Sequence, residues 1–248
     1  MTVLRMSHLL LAVPALFASA NLIAAPWLEP GDARARHSVQ KLSDKGHYAG
    51  SVTTWPIMWA DIDQSQKRAG DNSVAMQQAY LSFEMEQQAR SGFRGELELN
   101  GSTEPAFLRG FQQLPREEGE LRANLQWQGE AWAVGLAPSA IANPQDDNAV
   151  RLDGSYIAAT VGNWVLGAGA IERWWGPGWQ STMILSNNAR PIPAVWVDRK
   201  TTLAPETKWL SWIGPWRLNV FLGQLEEERA IPDAKLLGMR FTFSPVER

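Results

Sequence analysis

From Phe93 to the end of the chain the apolar residues recur with a period of two, so this stretch must fold as extended strands with one greasy and one polar face. Leu97 and Leu99 alternate with Glu96, Glu98 and Asn100; Leu121, Leu125 and Trp127 alternate with Arg122, Asn124 and Gln126; Leu237, Met239, Phe241 and Phe243 alternate with Arg240 and Thr242. Ten such stretches are readable, at 93–100, 121–127, 132–136, 155–161, 164–171, 181–186, 195–200, 207–213, 216–225 and 237–243. The polar faces carry Arg94, Glu96, Glu98, Asn100, Arg122, Asn124, Gln126, Arg217, Asn219 and Arg240. A dry sandwich core has no partners for so many charges, whereas a hydrated barrel lumen does.

Alternation alone does not separate a sandwich from a barrel, and the connections argue for the barrel. Tight turns at Gln128-Gly-Glu130, Gly162-Asn163 and Gly214-Pro215 contrast with long polar segments at 101–120 and 138–153. With the chain entering from the periplasm, all three tight turns fall on one side, as the short periplasmic turns of an outer-membrane barrel do. Trp127, Trp132, Trp164, Trp212 and Trp216 flank those turns, where an interfacial aromatic belt belongs. By the same count residues 172–180, 201–206 and 226–234 fall outside, and 187–194 falls on the periplasmic side.

Ahead of the strands, Ala35, Val39 and Leu42 follow helical spacing after Pro30-Gly31-Asp32 and stop at Gly46. Pro56 forbids a central strand across Trp55 and Trp59. Residues 74–90 read either as a helix, with Met76, Tyr80 and Phe83 on one stripe, or as a strand. A strand here would move every tight turn to the far side, so a helix is expected.

Residues 1–25 have the layout of an export signal: Arg5, an apolar run from Leu9 to Phe17, and small residues at Ala18-Ser-Ala20. The expected organisation is therefore a signal peptide at 1–25, a periplasmic helical segment at 26–91, and an outer-membrane β-barrel from 92 to 248. The fold class is an all-β, antiparallel transmembrane barrel with a small N-terminal α-helical bundle. No cysteine is present, which rules out disulfides and a thiolate nucleophile, and three histidines leave little imidazole chemistry. A net charge of −3 implies no nucleic-acid surface. Thirteen tryptophans in a chain of 248 residues point to membrane interfaces or sugar-binding surfaces.

The run Ala170-Ile-Glu-Arg-Trp-Trp-Gly-Pro-Gly-Trp-Gln-Ser-Thr-Met-Ile-Leu-Ser-Asn-Asn-Ala-Arg-Pro-Ile-Pro193 resembles the signature of the capsule assembly Wzi family. So do Pro26-Trp-Leu-Glu-Pro-Gly-Asp32, Thr53-Thr-Trp-Pro56, Ser102-Thr-Glu-Pro105, Glu206-Thr-Lys-Trp-Leu-Ser-Trp212 and Leu237-Gly-Met-Arg240. The resemblance implies an outer-membrane barrel, with a helical bundle on the periplasmic side, that binds exported capsular polysaccharide and organises it at the cell surface. Partners so implied are the polysaccharide, outer-membrane lipids and the capsule export machinery. Family members are roughly twice as long, with about 18 strands; this chain ends at Ser244-Pro-Val-Glu-Arg248 without a terminal aromatic, which reads as a C-terminally truncated member.

Flat indole faces suit the apolar faces of pyranose rings, so Trp174, Trp175 and Trp179 are candidate sugar contacts. Arg173 and Gln180 are placed to meet hydroxyls or an acidic sugar's carboxylate, and Asn187, Asn188 and Arg190 offer amides and a guanidinium. Packing of the Trp-Gly-Pro-Gly-Trp turn as a plug explains the same tryptophans equally well. The acid pairs Glu117-Glu118 and Asp146-Asp147 are adjacent on loops and point apart, unlike glycosidase carboxylates, and no metal-ligand spacing or phosphate loop occurs. A non-enzymatic binding protein without metal or cofactor is expected; an oligosaccharide-permeable porin is the alternative.

Overall fold

A computed structural model of the chain describes residues 26–66, 72–89, 93–144, 146, 148–205, 207, 210–227 and 230–245. The expected signal peptide at 1–25 lies outside the described residues. The N-terminal part contains β1 (Trp27–Leu28), α1 (Ala33–Asp44), β2 (Thr54–Trp55), β3 (Ile57–Met58), α2 (Trp59–Gln66) and α3 (Ala75–Ala89). Asp32 starts α1: its Oδ1 accepts the N–H groups of Arg34 at 2.8 Å and Ala35 at 2.9 Å, which satisfies two donors a free helix end leaves open. The ambiguous stretch is helical, because Leu81 and Val74 bury against α1 and the loops around it, joining Ala35, Val39, Leu42, Trp55 and Ile62 in one core.

The rest is a ten-stranded antiparallel sheet. Its strands are β4 (Arg94–Gly101), β5 (Gly119–Gln128), β6 (Trp132–Leu136), β7 (Ser139–Ala142), β8 (Val150–Arg151), β9 (Tyr156–Val161), β10 (Trp164–Gly169), β12 (Ala194–Arg199), β13 (Trp216–Gln224) and β14 (Lys235–Phe243). The remaining strand, β11 (Trp174–Trp175), pairs with β2 apart from this sheet. β6 and β7 run along successive halves of β5, interrupted at Ala137 and Pro138, and β8 continues the line of β9. The sheet is open, with β4 at one edge and β14 at the other.

Two of the ten expected strands are absent. Residues 181–186 form only a single bridge, Leu185 to Trp175, and the described part of 207–213 is loop with a short helical turn at Ser211–Ile213. Conversely, β7 and β8 lie within the segment read as a long loop at 138–153. Removing the strand at 181–186 merges two expected connections into one, residues 170–193, so Asn187 lies at the same end of the sheet as Trp179. By the same correction, 201–206 lies at the end with the tight turns, where Thr201 donates its N–H to Asn163 Oδ1 at 3.0 Å. The tight turns at 129 and 162 and the described part of 200–215 thus share one end; the described parts of 102–118, 143–149, 170–193 and 225–234 share the other.

The two faces of the sheet differ as the alternation requires. Leu97, Leu99, Leu121, Val134, Ile157, Leu166, Val195, Leu222, Leu237 and Met239 all lie exposed on the convex face. At the tight-turn end this face carries a band of rings: Trp127 and Trp132 exposed, Trp164 against Trp216 at 6.2 Å, and Trp216 against Phe241 at 5.8 Å, with Trp212 exposed in the turn beside them. Small residues face large ones across the concave side, where Gly135 is paired with Tyr156, Gly167 with Trp196 and Gly238 with Phe221. Tyr156, Trp196 and Phe221 form a core with Trp27, Met58 and Trp175.

The helical segment packs into the concavity and reaches both ends of it. At the tight-turn end Asp61 accepts the N–H and hydroxyl of Thr202 at 2.8 and 2.6 Å, and the hydroxyl of Tyr48 at 2.9 Å. Beside it, the buried Arg217 donates to the carbonyls of Thr54 and Pro56 and to Asp198 at 2.6 Å, so the sheet holds the backbone of β2 and of the residue that follows it through one guanidinium.

Candidate functional site

At the loop-rich end the 170–193 connection folds inward over the helical segment. β11 pairs Trp174 with Trp55 and Trp175 with Thr54, and because successive strand residues point to opposite sides, the two indoles enter different cores. Trp174 is 0% exposed within the helical core, and Trp175, at 2%, packs on Phe221 of the sheet with ring centroids 5.5 Å apart. The Trp-Trp pair therefore staples helical segment to sheet. Gly176, Pro177 and Gly178 then turn the chain, and Trp174 Nε1 donates to Gly178 O at 3.2 Å.

A residue of α1 holds this turn down. Arg36 donates to the carbonyls of Pro177 and Gly178, each at 2.9 Å, while its guanidinium sits 4.3 Å from the Phe111 ring and 4.5 Å from that of Trp179. Burial between these rings pushes its pKa down to about 10. Phe111 comes from the 102–118 loop, and its N–H donates to Trp179 O at 2.7 Å. Trp179 is 39% exposed and Gln180 beside it is exposed. They form an aromatic and amide rim open to the outside of the fold.

The other candidates tie the loops to one another. Buried Asn187 donates to Phe111 O at 3.0 Å, and Asn188 accepts the Arg109 N–H at 2.8 Å and its guanidinium through the backbone carbonyl. Arg190 grips Asp153 with two nitrogens, at 2.8 and 2.9 Å, and Asp146 at 2.8 Å. Asp146 also accepts Arg151 at 2.7 Å, and Arg151 reaches Glu117 at 2.8 Å. Burial raises the Asp146 pKa, but hydrogen bonds from Arg151, the Asn148 N–H and Arg190 outweigh it and hold the carboxyl below its usual range. Arg173, 6% exposed, lies between Trp196 and Phe221, at 5.2 and 4.9 Å from their ring centroids.

Two polar cavities open on the concave face. One of about 280 Å³ lies between the helical segment and β4 to β6, lined by Glu29, Glu84, Arg94, Glu96, Glu98, Arg122 and Asn124 among others. The second, about 210 Å³, is walled by Arg109, Gln112, Gln113, Arg116, Glu120 and Glu172. Arg116 bonds Glu172 at 2.6 Å; even so, burial first and Asp153 second leave Glu172 with a raised pKa. Lumen-facing Arg94, Glu96, Glu98, Asn100, Arg122, Asn124 and Gln126 all line these cavities, on the face the alternation assigns them.

The sequence picks out the 173–190 motif but not the groups that hold it. Arg36, Phe111, Arg109 and Arg116 sit on a short helix and in a Pro/Gly-rich loop, and no local pattern marks them. Nothing but the fold brings them within reach of residues about 70 to 140 positions away.

A sheet greasy on its convex face, ringed with aromatics at one end and hydrated and charged on its concave face around an internal plug, is a wall of an outer-membrane β-barrel. The solved structure of Wzi from Escherichia coli, described as an outer-membrane protein involved in group 1 capsule assembly and a carbohydrate-binding β-barrel, superposes with a TM-score of 0.80 at 29% identity, covering 90% of this chain and 51% of that one. Residues 88–248 match the capsule assembly protein Wzi family, and the chain belongs to it. A 55.8 kDa protein from the cps region of Klebsiella pneumoniae is 31% identical over 228 residues, which are 90% of this chain and 45% of that protein. The chain thus spans about half the length of both relatives. Its place is the outer membrane.

Proposed function

We propose that this chain supplies the plugged half of a barrel that binds exported capsular polysaccharide and tethers it at the cell surface. The observation that carries the reading is the loop-rich end itself, where Trp179 and Gln180 stand open on a scaffold of buried Trp174, Trp175 and Arg36. An indole with one free face beside an amide is the pairing that sugar rings select, and the rigid base lowers the entropy lost on binding. Repeated weak contacts along a polymer supply the avidity. In this reading the tight-turn end, with its tryptophans, faces the periplasm and meets the export machinery, and the convex face meets lipid.

In this reading the protein acts without catalysis: Glu117, Asp146, Asp153 and Glu172 at the loop-rich end are engaged by Arg116, Arg151 and Arg190. The porin alternative sits poorly with a helical segment that spans the concavity. The test is capsule retention on cells carrying Trp179→Ala with Gln180→Ala in the full-length protein. Retention falls several-fold while the amount of folded barrel in the outer membrane stays constant; unchanged retention refutes the assignment. Large steady conductance of the wild-type protein in planar bilayers favours the porin, and new reducing ends from purified capsule favour a hydrolase.

A further inference from the structure

The described arginines at the loop-rich end differ in what they hold. Arg116, Arg151 and Arg190 each hold a carboxylate, and Arg36 and Arg109 donate to loop carbonyls. Arg173 is 6% exposed, donates one bond, Nη1 to Ile171 O at 3.2 Å, and its Nη2 is buried with no hydrogen-bond partner among the described residues. The rings of Trp196 and Phe221 offset part of the cost of burying this cation; Asp198 and Glu172 act on it through space, and no carboxylate hydrogen-bonds to it among the described residues. Burial pushes its pKa down to about 10 against the weaker opposing pull of Asp198 and Glu172.

Arg173 lines a cavity of about 240 Å³ whose walls include Ile184, Leu185, Pro191, Ile192 and Leu225. The other charges on the cavity are already engaged, Arg190 by Asp153 and Asp146 and Glu172 by Arg116. Glu172 lines the cavity but its carboxylate is taken up by Arg116, so no anion is hydrogen-bonded to Arg173 among the described residues, and the cavity offers apolar wall besides. Its volume lies below the roughly 300–1,000 Å³ of pockets for drug-sized ligands, which restricts the occupant to a single small ring.

We infer that this cavity is a subsite for one uronic acid unit of the bound polymer, with the sugar carboxylate on Arg173 and the apolar face of the ring on the isoleucine and proline wall. The inference rests on the polysaccharide-binding reading above and names the sugar chemistry that site selects. A planar carboxylate matches the guanidinium fork, and the buried setting makes the pairing strong. Trp179 and Gln180 on the rim of the same 170–193 segment contact the polymer independently of its charge.

The experiment uses the full-length protein in detergent and measures binding of a galacturonate trimer, of the same trimer with its carboxyls reduced to hydroxymethyls, and of decanoate. The acidic trimer binds at least ten-fold more tightly than the reduced one. Arg173→Gln abolishes that preference while leaving the weaker affinity for the reduced trimer. Because Arg173 is buried and its replacement can unfold the barrel, Ala189→Trp at the exposed cavity rim provides a second variant: it fills the cavity, keeps Arg173, and removes the same preference. Equal binding of the two trimers, or a preference that survives both variants, overturns the subsite but leaves polysaccharide binding standing. Failure of every glycan, capsule included, overturns both readings. Binding of decanoate with no preference between the trimers assigns the cavity to an acyl carboxylate and overturns the uronate.

Discussion

Gly167 faces Trp196 across the β10 and β12 pair, and a methyl group added there would come within 2.2 Å of the indole. Gly135 before Tyr156 and Gly238 before Phe221 repeat the arrangement, at 2.4 and 2.0 Å. The glycine leaves a shelf on the concave face and the ring of the neighbouring strand lies across it, which pins the register of the pair and shields the bare backbone. Gly167→Ala is therefore expected to destabilise the folded protein by about 1–3 kcal/mol, the usual cost of overpacking. The check is urea unfolding from lipid vesicles. A double-mutant cycle with Trp196→Ala locates the cause, because once the indole is gone the methyl costs little; additive losses would place the strain elsewhere.

At the scale of elements, α1 and the 170–193 connection act as one unit through Arg36. Arg36→Ala removes two charged hydrogen bonds and the contacts with the Phe111, Trp174 and Trp179 rings, a local loss on the order of 2–4 kcal/mol. Limited proteolysis then cuts between residues 176 and 184 in the variant but not in the wild type, with the barrel still folded. Lysine fails to restore protection, since a point charge cannot span both carbonyls and the three rings. The loops also respond to pH with a definite sign. Asp146 titrates lower when folded than when unfolded, so its stabilisation is complete above about pH 4 and is lost as pH falls through its depressed value. Glu172 has the opposite sign: its raised value means that folded protein takes up that proton first, so acidification favours it. Proteolysis of the 143–153 region accordingly rises in strong acid, and Asp146→Asn flattens that rise; a profile identical to the wild type would remove Asp146 from the account.

This same scale shows what a sequence can and cannot announce. The lumen face of β4 and β5 follows from alternation alone, a local periodicity, whereas the helix over 75–89, whose own pattern reads either way, follows only from the side on which the later tight turns fall. Residues 181–186 alternate just as well, yet Leu185 bridges Trp175 and leaves no ladder, since the sheet beside β10 is already occupied by β12. Residues 207–213 alternate too, but Ser211–Ile213 form a short helical turn ahead of β13. Alternation says which side a residue faces if it is in a strand; it does not say that a neighbouring strand is free. The site divides in the same way: the Trp-Gly-Pro-Gly-Trp motif is visible as a string, while the roles of Trp174 as core and Trp179 as rim depend on a pairing with residues about 120 positions earlier.

For the whole molecule, the decisive property is that the greasy side of the sheet faces outward. In water a ring of exposed leucines, phenylalanines and tryptophans of this extent would drive association, whereas in a bilayer it is the ordinary outer surface of a barrel. Val220 offers a direct measure. It lies on the convex face of β13, four residues beyond Trp216 of the aromatic band, or roughly 13 Å along the strand, which is about half the height of the apolar belt. An arginine at the middle of a lipid-facing surface costs about 2–4 kcal/mol, while the same change on a water-facing surface is worth about 0.5 kcal/mol or less. Unfolding of Val220→Arg from lipid vesicles therefore gives a loss in the larger range, and moving the arginine to Leu218, nearer the band, shrinks it. That gradient with depth cannot arise from lost packing alone, because both residues are half-buried on the same face of one strand. A loss that is small, or equal at the two positions, would mean that the convex face meets something other than the hydrocarbon core.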